Sequence, residues 1–442
     1  MAAHLLGDEA PPVTVALVEA GPALAQGVAY ATRCPEHLLN VRAGGMSALE
    51  DRPGDFVDFL LGQPRHAGGE RDALAARFMP RMEYASYLSA LLDSRPGQER
   101  LHRVNERVVD VAPLADGFDV ELASGGRLQA RAVVLAVGNR PARLPVPSSA
   151  AGQPGAGVID AWNYPAVAAI APDADVCILG AGLSMVDVVL TLRARGHRGK
   201  VTSLSRRGLV PLPHAAPAPP AETDIGALLA MGLVDRTRAV RELAAREAAA
   251  SRPWQGALDA LRPHVQALWT SLDGTGQRRF LRHLVRHWDV HRHRIAPEVA
   301  QQLDEATQSG QLERLAGHLV EIEPGVRTGI TWRPRGGGDV SRFEADVLVN
   351  ALGMDKRIDG GPDLLGRLCA RGLLRPGPHR IGAGTTADGV PLGADGVPVD
   401  GLWTLGALRV GDLWESIAMP ELRGQAPRVA AAVRAHLTAQ RP

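Results

Sequence analysis

The chain has 442 residues and a formal net charge of +1, which gives room for two or three domains and too weak a field to mark a nucleic-acid or membrane partner. Its three cysteines, Cys34, Cys177 and Cys369, form no CxxC pair, which excludes dithiol redox chemistry and a cysteine-built zinc site, and no metal is expected. With no apolar run near the ~20 residues that span a bilayer and no basic-then-apolar leader, the expectation is a cytoplasmic protein acting on a small molecule, with a homo-oligomer left open.

In chain order, Met1–Leu6 reads as the closing turns of a helix. Val13–Val18 reads as a strand with Glu19 at its end. A glycine-interrupted polar stretch from Gly27 to Leu49 leads to a helix over Pro53–Leu61. Val108–Val111 and Phe118–Leu122 then form short strands, and Arg131–Gly138 (ARAVVLAVG) forms an apolar strand running into glycine.

Asp175–Leu192, DVCILGAGLSMVDVVLTL, is the most informative stretch. An apolar strand (Val176–Leu179) stops at Gly180-Ala181-Gly182, and helical apolar spacing follows through Val186, Val189 and Leu190. That is the strand, glycine turn and helix of a dinucleotide-binding βαβ unit. Gly180 permits the tight turn. Gly182 lets the backbone approach a pyrophosphate, and the helix opening at Leu183 and Ser184 offers it free N–H groups. The third small position of GxGxxG is Met185.

A second strand, Val201–Leu204, ends in Ser205-Arg206-Arg207. An acidic residue that grips the ribose hydroxyls of NAD is expected about 20 residues beyond the first glycines. Two arginines stand there instead, and guanidinium groups match a phosphate as bidentate donors, so the reading is NADPH over NADH. The plainer alternative is a solvated arginine turn.

Pro211–Pro220 reads as a stiff spacer into a helical insertion over about 222–315. Its helices are expected at Ile225–Leu233, Thr237–Ala250 and Gly276–Val290. Within it, His287, His291 and His293, with Arg292 and Arg294, make a dense cationic run. Hydrogen bonding to neighbouring loops and anion binding both fit that composition; His287 and His291, four apart, have a metal-ligand spacing, but no carboxylate or cysteine ligand is patterned with them.

Leu319–Ile322, Ile330–Arg333 and Ala345–Gly353 repeat the earlier meander, ending EADVLVNALG. The chain closes with a strand at Leu402–Leu405, a glycine at Gly406, the pair Gly411-Asp412, and an amphipathic helix over Glu421–Leu437 that Pro420 suits at its first turn. The repeat implies two dinucleotide domains. In the first, Val13–Val18 takes the place of the second strand, with Glu19 as the ribose-binding carboxylate. No strand and glycine loop precedes it, so either the natural start lies upstream or the site is degenerate; shortening is the expectation.

With these pieces assembled, the chain resembles the bacterial FAD-NAD(P)-binding proteins, within the flavoprotein oxidoreductases that carry two dinucleotide-binding domains. The resemblance rests on GVAYATRCPEHLLNVRAGGMSAL (Gly27–Leu49), LAVGN (Leu135–Asn139), ILGAGLSMVD (Ile178–Asp187), SLSRRGLVPLPH (Ser203–His214), HWDVHRHRIAPEV (His287–Val299), VNALG (Val349–Gly353) and GLWTLGALRVGDLWESIAMPELRGQA (Gly401–Ala426).

It implies an α/β fold of two Rossmann-like domains with β-meanders and the helical insertion. An FAD domain is expected at 1–172 plus 354–442, and an NAD(P) domain at 173–353. It also implies FAD contacts from Glu19, Gly27, Tyr30, Asn40, Val41, Gly138, Gly406, Gly411 and Asp412, with Trp414 and Glu415 near the ring. NADPH would lie on Gly180, Gly182, Leu183, Ser184, Ser205, Arg206 and Arg207. The activity implied is an NADPH-dependent flavin oxidoreductase, monooxygenase-like. The alternatives are a nucleotide-binding protein without turnover and a flavin reductase of a small acceptor.

Overall fold

The computed structural model describes residues 1–7, 12–21, 24, 26–145 and 158–440. The chain forms two compact units. Unit 1 is Met1–Ala31, Val41–Asn139 and Lys356–Pro442; unit 2 is Thr32–Asn40 and Arg140–Asp355. The strands in chain order are β1 (Val15–Val18), β2 (Leu101–Val104), β3 (Val108–Leu114), β4 (Gly117–Leu122), β5 (Arg127–Ala130), β6 (Val133–Leu135) and β7 (Val158–Asp160). They continue as β8 (Val176–Leu179), β9 (Val201–Ser205), β10 (Leu312–Glu323), β11 (Thr328–Pro334), β12 (Ser341–Ala345), β13 (Val347–Asn350) and β14 (Leu402–Thr404).

Unit 2 holds a seven-stranded sheet in the order β12-β11-β10-β9-β8-β13-β7. Strands β10, β9, β8, β13 and β7 run parallel. The long β10 serves twice. Leu312–Ala316 pairs parallel with β9, and Gly317–Glu323 turns antiparallel to β11 to begin the meander. All four residues of β8, VCIL, are buried, as expected of a central parallel strand covered on both faces. Cys177 is one of them, a small core residue packed with Leu179, Leu204, Ile330 and Leu348. Strand order reverses between β8, which crosses to β9, and β13 on its other side. In such sheets that reversal point, at the carboxyl ends of the strands, is where ligands sit.

The domain boundary differs from the sequence expectation. Residues 140–172 belong to unit 2, because β7 adds to β13 through Leu348–Val158, Val349–Ile159 and Asn350–Asp160. Thr32–Asn40 also joins unit 2.

Unit 1 repeats the plan in fragments. β1 pairs parallel with β2 as β9 does with β10, and β6 pairs parallel with β14 as β13 does with β7. The meander β3-β4-β5 follows β2. Among the described residues no strand pairs with the second edge of β1 or of β6. Ala16 is accordingly exposed and Val15, Leu17 and Val18 only half-buried, whereas β9 is buried along Val201–Leu204. Val15 and Val134 share one apolar cluster with Leu5, Trp403, Val429 and Val433, which sets β1 and β6 against the long Met419–Ala439 helix.

The insertion carries its own core of Leu228, Leu243, Ala257, Leu258, Leu261 and Leu268. The helix expected over Gly276–Val290 is present with one widened turn. It runs as Gly274–Arg279, a π-helical turn at Phe280–Leu284, then Val285–Arg292. The π turn lies within an unbroken helical path, so period-3.6 reading passes over it.

Candidate functional site

The turn at the end of β8 carries Gly180 and Gly182 into the Leu183–Ala194 helix. Gly180 has φ +122, and its N–H donates to the Leu204 carbonyl at 2.9 Å, locking the turn to β9. A Cβ there would run into the backbone carbonyl of Ala351 at the end of β13, far inside real contact distance. Gly180 is therefore required by the fold. Gly182 is different. It caps the Leu183–Ala194 helix in extended conformation, φ −92 and ψ −164, and a Cβ there would meet only the Arg286 guanidinium, at 3.8 Å. Space is open where a pyrophosphate would approach the helix N-terminus.

Met185, at the third glycine position, is fully buried in the core. The helix thus accepts a large side chain where close helix–strand packing usually demands a small one. Leu183 opens the helix, and the Ser184 hydroxyl accepts a hydrogen bond from Trp162 Nε1 at 3.2 Å.

At the end of β9, the Ser205 hydroxyl accepts from the Gly208 N–H at 3.0 Å and shapes the turn carrying the two arginines. Arg206 is exposed. Arg207 donates to His287 Nε2 at 3.1 Å. Burial, then the nearby charges of Arg207, His291 and Arg335, push the His287 pKa down.

The rest of the histidine–arginine run disperses. His291 Nδ1 bonds the His287 carbonyl at 2.7 Å, and its ring meets Trp254 edge-on. Arg294 turns inward to Asp259. Among the described residues no group of His, Cys, Asp or Glu could hold a metal ion.

Sequence reasoning missed His37. It is fully buried within unit 2. Its Nδ1 pairs with Thr32 Oγ1 at 2.8 Å, and its Nε2 with the Asp187 carbonyl at 2.8 Å and Thr191 Oγ1 at 2.9 Å. Thr32–Asn40 is thereby stitched to the helix that opens at Gly182. Asn40 lies in the same segment, where its carbonyl accepts from His214 Nε2 at 3.0 Å. No local pattern signals this partnership, because Thr32 and Thr191 are far apart in the chain.

In unit 1, Glu19 ends β1 with its backbone N–H on the Val104 carbonyl, and its carboxylate accepts from the Gly21 N–H at 3.1 Å. Gly27 (φ +55) and Gly138 (φ +64) hold left-handed backbone, and among the described residues nothing lies within 4 Å of a would-be Cβ. Tyr30 packs into an aromatic group, 4.7 Å from the Tyr84 ring, and burial raises its pKa to about 12. Val41 lies beside Gly45.

The Gly406 N–H donates to Gln425 Oε1 at 3.2 Å, and its carbonyl accepts from the Ser416 hydroxyl at 2.8 Å. Gly411 presses on the Ile381 carbonyl, where a Cβ has no room. Asp412 accepts from the Thr385 N–H at 2.8 Å and from its hydroxyl at 2.7 Å. Trp414 is buried with φ +63, a backbone strain of about 1–3 kcal/mol, and Lys356 stands over its ring at 4.7 Å. Glu415 is buried beside it in sequence.

These features define an α/β protein built from Rossmann-type units, with a glycine turn at the reversal point of the unit 2 sheet. Residues 1–140 match the family model described as FAD-NAD(P)-binding. No curated protein matches the sequence significantly.

Among solved structures, the fold is similar to an ornithine N-hydroxylase of Kutzneria sp. 744, described with reduced FAD, NADP+ and L-ornithine. That pair has TM-score 0.65 and 16% identity, covering 98% of this chain and 96% of that one. The ornithine hydroxylase of Pseudomonas aeruginosa matches with TM-score 0.63 and 16% identity, covering 96% and 93%. L-lysine 6-monooxygenase of Pseudomonas syringae matches with TM-score 0.59 and 15% identity, covering 90% and 86%.

Proposed function

We propose that the chain is an NADPH-dependent flavin oxidoreductase of monooxygenase type, acting on a small molecule in the cytoplasm. The observation that carries this reading is the unit 2 turn. Gly180 is fixed by the fold, Gly182 is left open, and Arg206-Arg207 stand where a ribose-binding acid would favour NADH. The residues fit NADPH: the helix N-terminus and Gly182 for the pyrophosphate, and Ser205 with the two arginines for a 2′-phosphate.

For FAD, Glu19 at the end of β1 fits a ribose, and Gly27 and Gly138 leave backbone open to close approach. The N-terminal end of the Met419–Ala439 helix would oppose negative charge on a reduced ring. Gly406, Gly411 and Asp412 set the loops that precede that helix. Among the described residues no strand pairs with the second edges of β1 and β6, where β8 and its glycine turn lie in unit 2, so no residue is proposed for the FAD pyrophosphate.

The two coenzymes would together supply hydride transfer from nicotinamide to flavin, and reduced flavin would supply electrons for O₂ and an organic substrate. The chain's own part is orientation. Gly180 fixes the turn, Ser205 shapes the arginine turn, and Ser184 is held by Trp162. The full-length fold likeness to N-hydroxylating monooxygenases and three cysteines of which none stands in a CxxC pair support monooxygenase over dithiol chemistry.

The test is coenzyme kinetics. Arg206→Ala should raise KM for NADPH about tenfold and leave KM for NADH nearly unchanged. Equal effects on both would refute the coenzyme assignment.

A further inference from the structure

The helical insertion of unit 2 does more than cover its own core. Its π-helical turn ends at Leu284, and the next helix, Val285–Arg292, carries Arg286 and His287 as its second and third residues. Such widened turns recur at functional sites, because they redirect the side chains that follow. Here those two side chains reach the two halves of the coenzyme turn.

Arg286 Nη2 lies 3.8 Å from the Cβ position of Gly182, the residue that caps the Leu183–Ala194 helix. Its Nη1 is held by Asp289 at 2.9 Å. A guanidinium carries five donors, so one edge anchored by Asp289 leaves the Nη2 edge aimed at the helix N-terminus. His287 is bonded to Arg207 through Nε2. Arginine only donates, so Nε2 accepts, and the ring is neutral with its proton on Nδ1. Arg207 after β9 bonds it, His291 shares its helix, and Arg335 just beyond β11 donates its backbone N–H to Ala316, the register partner of Ser205. Arg207 and Arg335 thus bring two like charges from separate elements to the end of β9, which suits an anion of two charges.

We propose that the insertion completes the NADPH site of unit 2, with Arg286 over the pyrophosphate beside Gly182 and His287 joining Arg207 around the adenosine 2′-phosphate, where Arg335 of the meander adds a further charge. This rests on the reading of Gly180–Asp187 as the coenzyme turn. It makes coenzyme choice a property of the insertion as well as of the β9 turn. On phosphate entry, His287 exchanges its acceptor role toward Arg207 for a donor role toward the phosphate. Arg207 is freed to make its own charge-assisted bonds.

The test is calorimetric titration of the full chain with two fragments, neither of which needs turnover: 2′,5′-ADP, which carries the 2′-phosphate, and ADP-ribose, which carries the pyrophosphate without it. His287→Ala and Arg335→Ala should each weaken 2′,5′-ADP about tenfold and leave ADP-ribose within about twofold. Arg286→Gln should weaken ADP-ribose about tenfold, and Arg286→Lys should recover part of that loss. His287 and Arg335 are exposed, and melting curves matching wild type will show that the variants fold.

If Arg206→Ala loses 2′,5′-ADP while the His287 and Arg335 variants bind as wild type, the insertion's role is overturned and the coenzyme assignment stands. If the wild-type chain binds neither fragment, both fall together.

Discussion

Gly180 and Gly182 sit two residues apart in one turn, and the structure assigns them opposite penalties. Gly180→Ala places a methyl against the Ala351 carbonyl at φ +122. Left-handed strain of about 1–3 kcal/mol and overpacking of a similar size sum to about 2–6 kcal/mol. For a unit of this size, at about 2–4 °C per kcal/mol, melting of unit 2 should fall by roughly 5–20 °C. Gly182→Ala adds a methyl to extended backbone, with the movable Arg286 guanidinium as its sole neighbour within 4 Å.

The stability of that second variant should therefore stay within about 0.5 kcal/mol of wild type. Its affinity for NADP+ should nevertheless fall about tenfold or more, since the methyl stands where the pyrophosphate approaches. Thermal melting followed by circular dichroism, paired with NADP+ titration, separates the two effects. Equal melting losses in both variants, or full NADP+ affinity in Gly182→Ala, would refute the assignment of one glycine to the fold and the other to the ligand.

Other outcomes follow from single sites. His37→Ala removes a buried ring that bonds Thr32, Thr191 and the Asp187 carbonyl; it should cost about 2–4 kcal/mol and expose Thr32–Asn40 to limited proteolysis. Proteolysis unchanged from wild type would contradict the clasp. Ser251 ends the Leu233–Ala249 helix, exposed and with φ +56, so Ser251→Gly should stabilise the chain by about 1 kcal/mol in urea unfolding.

Burial, then the charges of the chain's amino terminus and Arg95, push the His4 pKa from 6.5 down to about 4. A depressed histidine favours folding when neutral. Its contribution is complete above pH 6.5 and is lost as pH falls toward about 4. His4→Gln should flatten the decline of stability across that window, and parallel pH profiles for the two proteins would contradict it.

Much of unit 2 was legible in the sequence because its signals are local. An all-apolar run marks β8, glycines mark the turn, and helical spacing marks Leu183–Ala194. The meanders announced themselves by glycine turns between short apolar strands. What escaped reading is non-local. His37 looks like a polar residue in a loop until Thr191 and Asp187 are brought to it from far along the chain. Arg286 lies beside Gly182, far from it in the chain, just after a π turn of which a period of 3.6 carries no trace.

The boundary near residue 172 was misplaced because β7 is only three residues long and its pairing with β13 cannot be seen in either segment alone. Met185 looked like a defect in the glycine motif; its full burial shows the helix packing around it. Gly411-Asp412 suggest ligand contact from sequence alone, while their packing against Ile381 and hydrogen bonds from Thr385 come from far along the chain.

The central claim is that this scaffold passes electrons from NADPH to a bound flavin. The most direct measurement is the visible absorbance of the purified chain reconstituted with FAD, followed under anaerobic addition of NADPH and then on admission of O₂. The account predicts a flavin band that bleaches with NADPH far faster than with NADH and returns with oxygen. A chain that takes up no flavin, or whose flavin band ignores NADPH, would contradict it.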